Sequence, residues 1–215
     1  MATSSLSAVQ RRAVAIAGLS AQAESPGPAR LAPRPVQSFR RGQAIPLRSS
    51  QVWIVQEGIV LLNTLYPSGD EALLGLAGPA MPFGEPLSTV EPYQAIAFCG
   101  VKAVSYSMVE VEQSLLLTQE IAKQLCRRLQ QAETMVALLG QRRVEERLKQ
   151  FLLLLAREAG QPVADGIRLD LRLTHQHLAN ALGTTRVTVT RILNQLRDSG
   201  WLSLDQGRHI VISGS

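Results

Sequence analysis

The sequence predicts an α+β chain: an N-terminal small β-barrel of the double-stranded β-helix or jelly-roll kind, a long dimerisation helix, and a C-terminal winged helix-turn-helix. Three observations point there. Between residues 36 and 108, short apolar runs alternate with turn-forming residues, as in small antiparallel barrels. Near residue 109 the apolar period changes to the three-and-four spacing of a helix. The last third then carries the positive charge: residues 141–215 hold 11 Arg and Lys against 7 Asp and Glu, whereas the first 140 hold 11 against 10. A basic surplus confined to one segment is the footprint expected of contact with nucleic acid.

Composition excludes other classes. Hydrophobic residues make up 46% of the 215 and charged residues 18%, which is neither a disordered nor a fibrous chain. The longest strongly apolar run, 151–156, falls far short of the ~20 residues of a membrane-spanning helix. Two cysteines, Cys99 and Cys126, cannot build a disulfide scaffold and fit a reducing, cytoplasmic setting.

Residues 1–35 form an arm and linker. Arg11 and Arg12, the apolar stretch 13–19 and the small residues Ala21 to Ala23 loosely imitate a secretion signal. The apolar part is short and alanine-rich, so an amphipathic helix or flexible arm is the better expectation. Prolines 26, 28, 33 and 35 then break the chain.

In the barrel segment, 36–108, the runs 52–55 and 59–62 flank Gln56, Glu57 and Gly58 and read as a hairpin. Residues 67–70 are a second turn, followed by strands near 72–76, 95–98 and 101–106. In segment 109–140, Leu115, Thr118, Ala122, Leu125, Leu129, Ala132, Val136 and Leu139 recur with spacings alternating between three and four. Such a strict 3.5-residue repeat makes a narrow stripe, as in a dimer seam, rather than a broad core face. Residues 141–215 begin with a helix over about 142–159, stopped by Gly160, Gln161 and Pro162, and continue with a strand over 167–173.

The chemistry lies in 174–200. Thr174 can cap a helix over 176–182, and Gly183 closes it where a left-handed backbone is wanted. Thr184 is then the expected cap of a second helix, 186–199. Leu178, Ala179 and Leu182 oppose Val189, Ile192, Leu193 and Leu196, which leaves Arg186, Thr188, Thr190 and Arg191 on other faces. Two short helices around a glycine turn, the second offering Arg and Thr at its start, fit a helix-turn-helix whose second helix enters the major groove. The hairpin that follows, with Arg208 near its turn, would be a wing.

At this point the sequence LTHQHLANALGTTRVTVTRIL, residues 173–193, resembles the DNA-binding motif of the Crp/Fnr superfamily. Its part TRVTVTR, 185–191, is similar to the recognition helix of the cyanobacterial nitrogen-control branch. FLLLL at 151–155 and ADGI at 164–167 extend the likeness, which weakens through the barrel. The resemblance implies a homodimeric, cytoplasmic transcription regulator on a palindromic operator, working with RNA polymerase and, in one variant, a protein coactivator. It implies base contacts by Arg186, Val187 and Arg191, and backbone contacts by Thr174, His175, Gln176, Thr185, Thr188, Thr190 and Arg208. Physical chemistry agrees, because arginine suits bidentate contact with guanine and hydroxyls suit phosphates.

The resemblance also implies a cyclic-nucleotide-binding-like barrel. Phe83, Gly84 and Glu85 match the start of the family's ligand cassette, but the arginine expected on the next strand is missing. No Arg or Lys occurs between Arg48 and Lys102, and Glu91 falls near the expected place. Pro86 removes a further backbone donor. Cyclic AMP is therefore not expected. Arg128 and Glu133 match positions that approach 2-oxoglutarate in the nitrogen-control branch, but with Glu91 opposing an anion the better expectation is two exposed residues on a coiled-coil flank; 2-oxoglutarate is disfavoured. A barrel enzyme of cupin type would need histidines in the barrel, yet His175, His177 and His209 all lie beyond it. No zinc set, iron–sulfur cysteine set, phosphate loop, nucleophile elbow or carboxylate pair is found, so no enzyme and no metal is expected.

Overall fold

Alternating apolar residues set the first seven strands of the computed structural model, which describes residues 34–213; the segment 1–33, with the arm or signal question, lies outside the described residues. The strands are β1 (Gln37–Phe39), β2 (Gln51–Glu57), β3 (Val60–Leu65), β4 (Glu71–Ala77), β5 (Pro82–Phe83), β6 (Gln94–Ala97) and β7 (Val101–Ser107). They make two antiparallel sheets, ordered β1-β7-β2-β5 and β4-β3-β6. Trp53, Val55 and Phe83 of one sheet and Val60, Leu62, Ala77, Ala95 and Ala97 of the other share a buried core. Trp53 anchors it: Phe39 meets its ring edge-on at 5.6 Å, Phe83 stacks at 6.4 Å, and its Nε1 donates to the Pro46 carbonyl at 3.1 Å. The architecture is a jelly-roll-like pair of sheets rather than a closed barrel.

One expectation fails here. The runs 52–55 and 59–62 are not a hairpin: β2 pairs with β7 and β5, whereas β3 pairs with β4 and β6. Gly58 sits between them with φ 87° and carries the chain from one sheet to the other, packed so closely that a Cβ would land on the Gly100 carbonyl oxygen. The turn at 67–70 does close a hairpin, with Leu65 opposite Glu71.

Helix α1 (Met108–Gln113) starts at Ser107, whose hydroxyl accepts from the Glu110 N–H at 3.2 Å while Glu110 accepts from the Ser107 N–H at 2.8 Å. Helix α2 (Leu115–Leu139) follows. It buries Leu117, Ile121, Gln124, Gln131, Met135 and Leu138. The stripe found in the sequence lies on another face: Leu115 is 71% exposed, Leu129 61% and Val136 73%, with Leu139 exposed and Leu125 half-buried. Thr118, Ala122 and Ala132 are exposed too.

The second compact unit, from Leu138 onward, contains α3 (Val144–Ala159), β8 (Gly160–Val163), β9 (Gly166–Leu169), α4 (His175–Leu182), α5 (Arg186–Asp198), β10 (Leu202–Leu204) and β11 (Ile210–Ser213). Its sheet runs β10-β11-β9-β8, all antiparallel. Residues 160–163 do end the helix as expected, but they also form a strand. Pro162 is tolerated because β8 is an edge, where one side needs no N–H. The strand expected over 167–173 stops at Leu169. Among the described residues no helix is long and apolar enough to cross a membrane.

Gly58→Ala should destabilise the sheet-containing unit by more than about 2 kcal/mol, since it adds a backbone collision to an unfavourable φ. A denaturant melt of the variant beside the wild type checks this, and an unchanged midpoint would contradict the crossover role.

Candidate nucleic-acid interface

The two helices of the last third are fixed by their caps. Thr174 is extended, and its hydroxyl accepts from the His177 N–H at 3.1 Å, which opens α4. Gly183 closes α4 with φ 58° and ψ 49°, a left-handed conformation that glycine adopts without cost. Thr185, not the expected Thr184, caps α5 by accepting from the Thr188 N–H at 3.2 Å. Thr184 instead donates its N–H back to the Ala179 carbonyl at 3.0 Å, continuing the closure of α4. The last turn of α4 is also held from α3, where Arg147 Nη1 donates to the Leu182 carbonyl at 3.1 Å.

Burial then decides what α5 presents. Val189, Ile192, Leu193 and Leu196 are buried, as are Leu178, Ala179, Ala181 and Leu182 of α4. Arg186, Val187 and Arg191 are exposed, Val187 at 78%, while Thr188 and Thr190 are partly so. The first turn of α5 holds no acidic residue. Arg191 Nη1 donates to Gln195 Oε1 at 3.1 Å, one turn further on. Thr190 donates to the Arg186 carbonyl at 2.8 Å and lies 2.7 Å from His175 Nδ1, a contact that ties the start of α4 to the middle of α5. Gln176, also in the first turn of α4, pairs with Asn180 at 2.6 Å.

Strands β10 and β11 form the wing. Its turn is organised by Asp205, whose carboxylate accepts from the His209 N–H at 2.8 Å and meets the His209 ring at 3.3 Å. The His209 backbone hydrogen bond is the main cause that holds the Asp205 carboxyl below its ordinary pKa, with the His209 ring and Arg168 adding to it. Arg208 occupies that turn at φ 60°, and its side chain lines a cleft with α5.

The sheet-containing unit holds the other expected site. Phe83 is fully buried, Gly84 (φ 151°) packs with no room for a Cβ against the Gln51 carbonyl, and Glu85 opens onto a cleft of about 730 Å³ that Ser88, Glu91 and Tyr93 also line. Arg128 reaches this segment from α2 and donates to the Pro82 carbonyl at 3.2 Å. Tyr93 lies nearby; burial pushes its hydroxyl pKa up, with Arg128 and the Gly84 backbone opposing. Glu133 is exposed. The structure thus brings Arg128 to the Phe83–Glu85 segment and leaves Glu133 outside. Among the described residues no group of His, Cys, Asp and Glu could hold a metal ion.

Two contacts escaped sequence reasoning. Gln195 was detectable as the residue four beyond Arg191 on an exposed helical face. Gln131, whose Oε1 accepts the Leu76 N–H at 2.7 Å inside the unit, left no signal, because a lone polar residue in a helix looks like surface.

Two capped helices joined by a left-handed glycine, with a basic exposed face and a hairpin beside it, define a DNA-binding transcription regulator. A family model of the Crp-like helix-turn-helix domain matches residues 146–213. The chain is 36% identical over 194 residues to the Global nitrogen regulator of Synechocystis sp., covering 84% of this chain and 86% of that one. It is 35% identical over 176 residues to the Regulatory protein CysR of Synechococcus elongatus, covering 80% and 81%. A transcriptional regulator of the CRP family from Thermus thermophilus superposes with a TM-score of 0.71 at 23% identity, over 82% of this chain and 91% of that one. The chain belongs to the Crp/Fnr family of transcription regulators.

Proposed function

We propose that this chain acts in the cytoplasm as a homodimer on a two-fold symmetric operator, without a small-molecule effector in its sheet-containing unit and without enzymatic activity. The observation that carries the DNA contact is the exposure of Arg186, Val187 and Arg191 in the first two turns of α5. The arginines suit guanine, and the uncharged Val187 suits a thymine methyl. By likeness to the nitrogen regulators, the half-sites would read GTA and TAC. Thr174, His175, Gln176, Thr185, Thr188, Thr190 and Arg208 would hold the phosphates. Bound there, the dimer would recruit or block RNA polymerase, with a protein coactivator as one source of its signal.

The dimer rests on α2. Leu115, Leu129, Val136 and Leu139 are large apolar side chains left exposed along one stripe, and a second copy of the stripe would cover them. The two recognition helices would then stand about one turn of DNA apart, ~34 Å. The effector-free reading rests on charge. Glu85 and Glu91 line the cleft, no Arg or Lys lies between Arg48 and Lys102, and Arg128 already donates to a backbone carbonyl. The second reading, a regulator responsive to 2-oxoglutarate, is favoured by the placing of Arg128 beside the Phe83–Glu85 segment.

Arg186→Ala and Arg191→Ala should each lose about 1–3 kcal/mol of discrimination at the guanine of a half-site, whereas Arg208→Ala should weaken all sequences alike. Selection of binding sites from a random pool checks this; unchanged base preference in both arginine variants would refute the assignment.

Leu129→Glu places a carboxylate in an apolar seam, at a cost of several kcal/mol per dimer. Sedimentation should find monomers that retain their fold by circular dichroism, with operator affinity greatly reduced. Persistent dimers would exclude this seam.

Calorimetry with millimolar 2-oxoglutarate or cyclic AMP should give no saturable binding, and neither should alter operator titrations. A tightening of operator affinity by 2-oxoglutarate of about tenfold, ~1.4 kcal/mol, would establish the second reading instead.

A further inference from the structure

The cleft between α5 and the wing has a composition that contact with DNA does not explain. It encloses about 290 Å³, and its walls come from Leu178, Leu193, Leu202 and Ile210, with Leu204 at the mouth. The first four are buried, whereas Leu204 is a large apolar side chain left about half exposed. Around this apolar interior stand Arg197, Arg208 and His175. The Arg208 guanidinium makes no hydrogen bond or ion pair with another described residue. The nearest carboxylate oxygen to Arg197 is that of its neighbour Asp198, 3.9 Å from Nε, too far for a hydrogen bond. Arg197 lies in the last turn of α5, away from the first turns that would enter a groove.

We propose that this cleft binds an amphiphilic organic anion: a medium-length aliphatic or aromatic carboxylate, its tail among the leucines and its carboxylate on Arg197 and Arg208. Apolar walls with a few convergent polar groups are the usual make-up of a small-molecule site. A guanidinium takes a carboxylate through two parallel hydrogen bonds, stronger than those of neutral pairs. At about 30 Å³ for each water-sized group, the volume holds roughly ten non-hydrogen atoms, the size of octanoate. The bound anion neutralises Arg208 and fills the space between α5 and the wing, so it competes with DNA. That competition, though not the binding itself, rests on the assignment of Arg208 to phosphate made above.

The test is calorimetry on the full chain without DNA, titrated with sodium octanoate below its micelle concentration. Octanamide serves as the neutral control and Arg197→Gln as the variant, with thermal melts confirming that it folds. The expected result is saturable binding of octanoate at about one molecule per chain, with octanamide and the variant each weaker by about tenfold. Absence of saturable binding, equal affinity for octanamide, or no effect of Arg197→Gln would each overturn the site. In a second arm, octanoate should weaken operator binding by the wild type and leave that of Arg197→Gln nearly unaffected. Octanoate that binds yet leaves operator affinity untouched supports the site, overturns the competition and sinks the Arg208 phosphate assignment alone.

Discussion

What this chain can offer to DNA depends on one apolar contact, the meeting of Leu178 and Leu182 with Val189, Ile192, Leu193 and Leu196. Each of these is buried. Because a helix turns about 100° per residue, burying 189, 192, 193 and 196 leaves no freedom in where 186, 187 and 191 point. Gly183 allows the two helices to meet within a three-residue turn, since its left-handed backbone reverses the chain at once. Threonine caps at both helix starts then remove unsatisfied N–H groups where DNA would otherwise meet frayed ends. The Thr190 contact with His175 adds a polar brace to the apolar one. The exposed arginines are therefore carried on a rigid frame, and little conformational entropy stands between the free and bound arrangements of the backbone.

Helix α2 shows the opposite economy, with two faces that serve different ends. The face toward its own sheets includes Gln124, Arg128 and Gln131, so it is less apolar than the stripe that is left exposed. Two of these polar residues tie backbone. Gln131 receives the Leu76 N–H of β4, and Arg128 donates to the Pro82 carbonyl of β5. Burying those groups without partners would cost roughly 1–3 kcal/mol each. The other face leaves four large apolar residues exposed, which fits the covered seam proposed above.

That division explains what could be read in the sequence. The heptad stripe stood out because its eight positions carry seven apolar residues, while the core face was disguised by its glutamines and arginine. The helix-turn-helix was legible because caps, a left-handed glycine and apolar phase all act within about twenty residues of chain, the range over which local chemistry decides structure. Only the second cap slipped, from Thr184 to Thr185, since either threonine satisfies the same local rule. Sheet partners were not legible. Apolar runs at 52–55 and 59–62 around a glycine look like a hairpin, and only the fit of β2 beside β7, some fifty residues on, says otherwise. The strand at 160–163 was hidden by Gly160 and Pro162, which mark a helix stop but also suit a sheet edge.

The same two polar ties bear on whether a small molecule controls this protein. Arg128 and Leu129 are successive residues of one rigid helix, the first held to β5 and the second on the exposed stripe. A shift of the helix backbone at Arg128 would turn or slide the stripe with it, which is how a ligand in the sheets could alter the proposed seam. Such a ligand must bind one arrangement more tightly than the other. Here the chain already supplies the partners: β5 through Pro82 and β4 through Leu76 hold the helix from both sheets without a third party. An anionic effector would face Glu85 and Glu91, with Arg128 reaching the segment from the helix and no other cation on the strands between Arg48 and Lys102. Its differential affinity would be small, because one guanidinium can offset only one of the two carboxylates that line the cleft. On the reading proposed above, the seam would be set by the chain's own backbone contacts, with control left to abundance, to a protein partner, or to the basic cleft beside the wing.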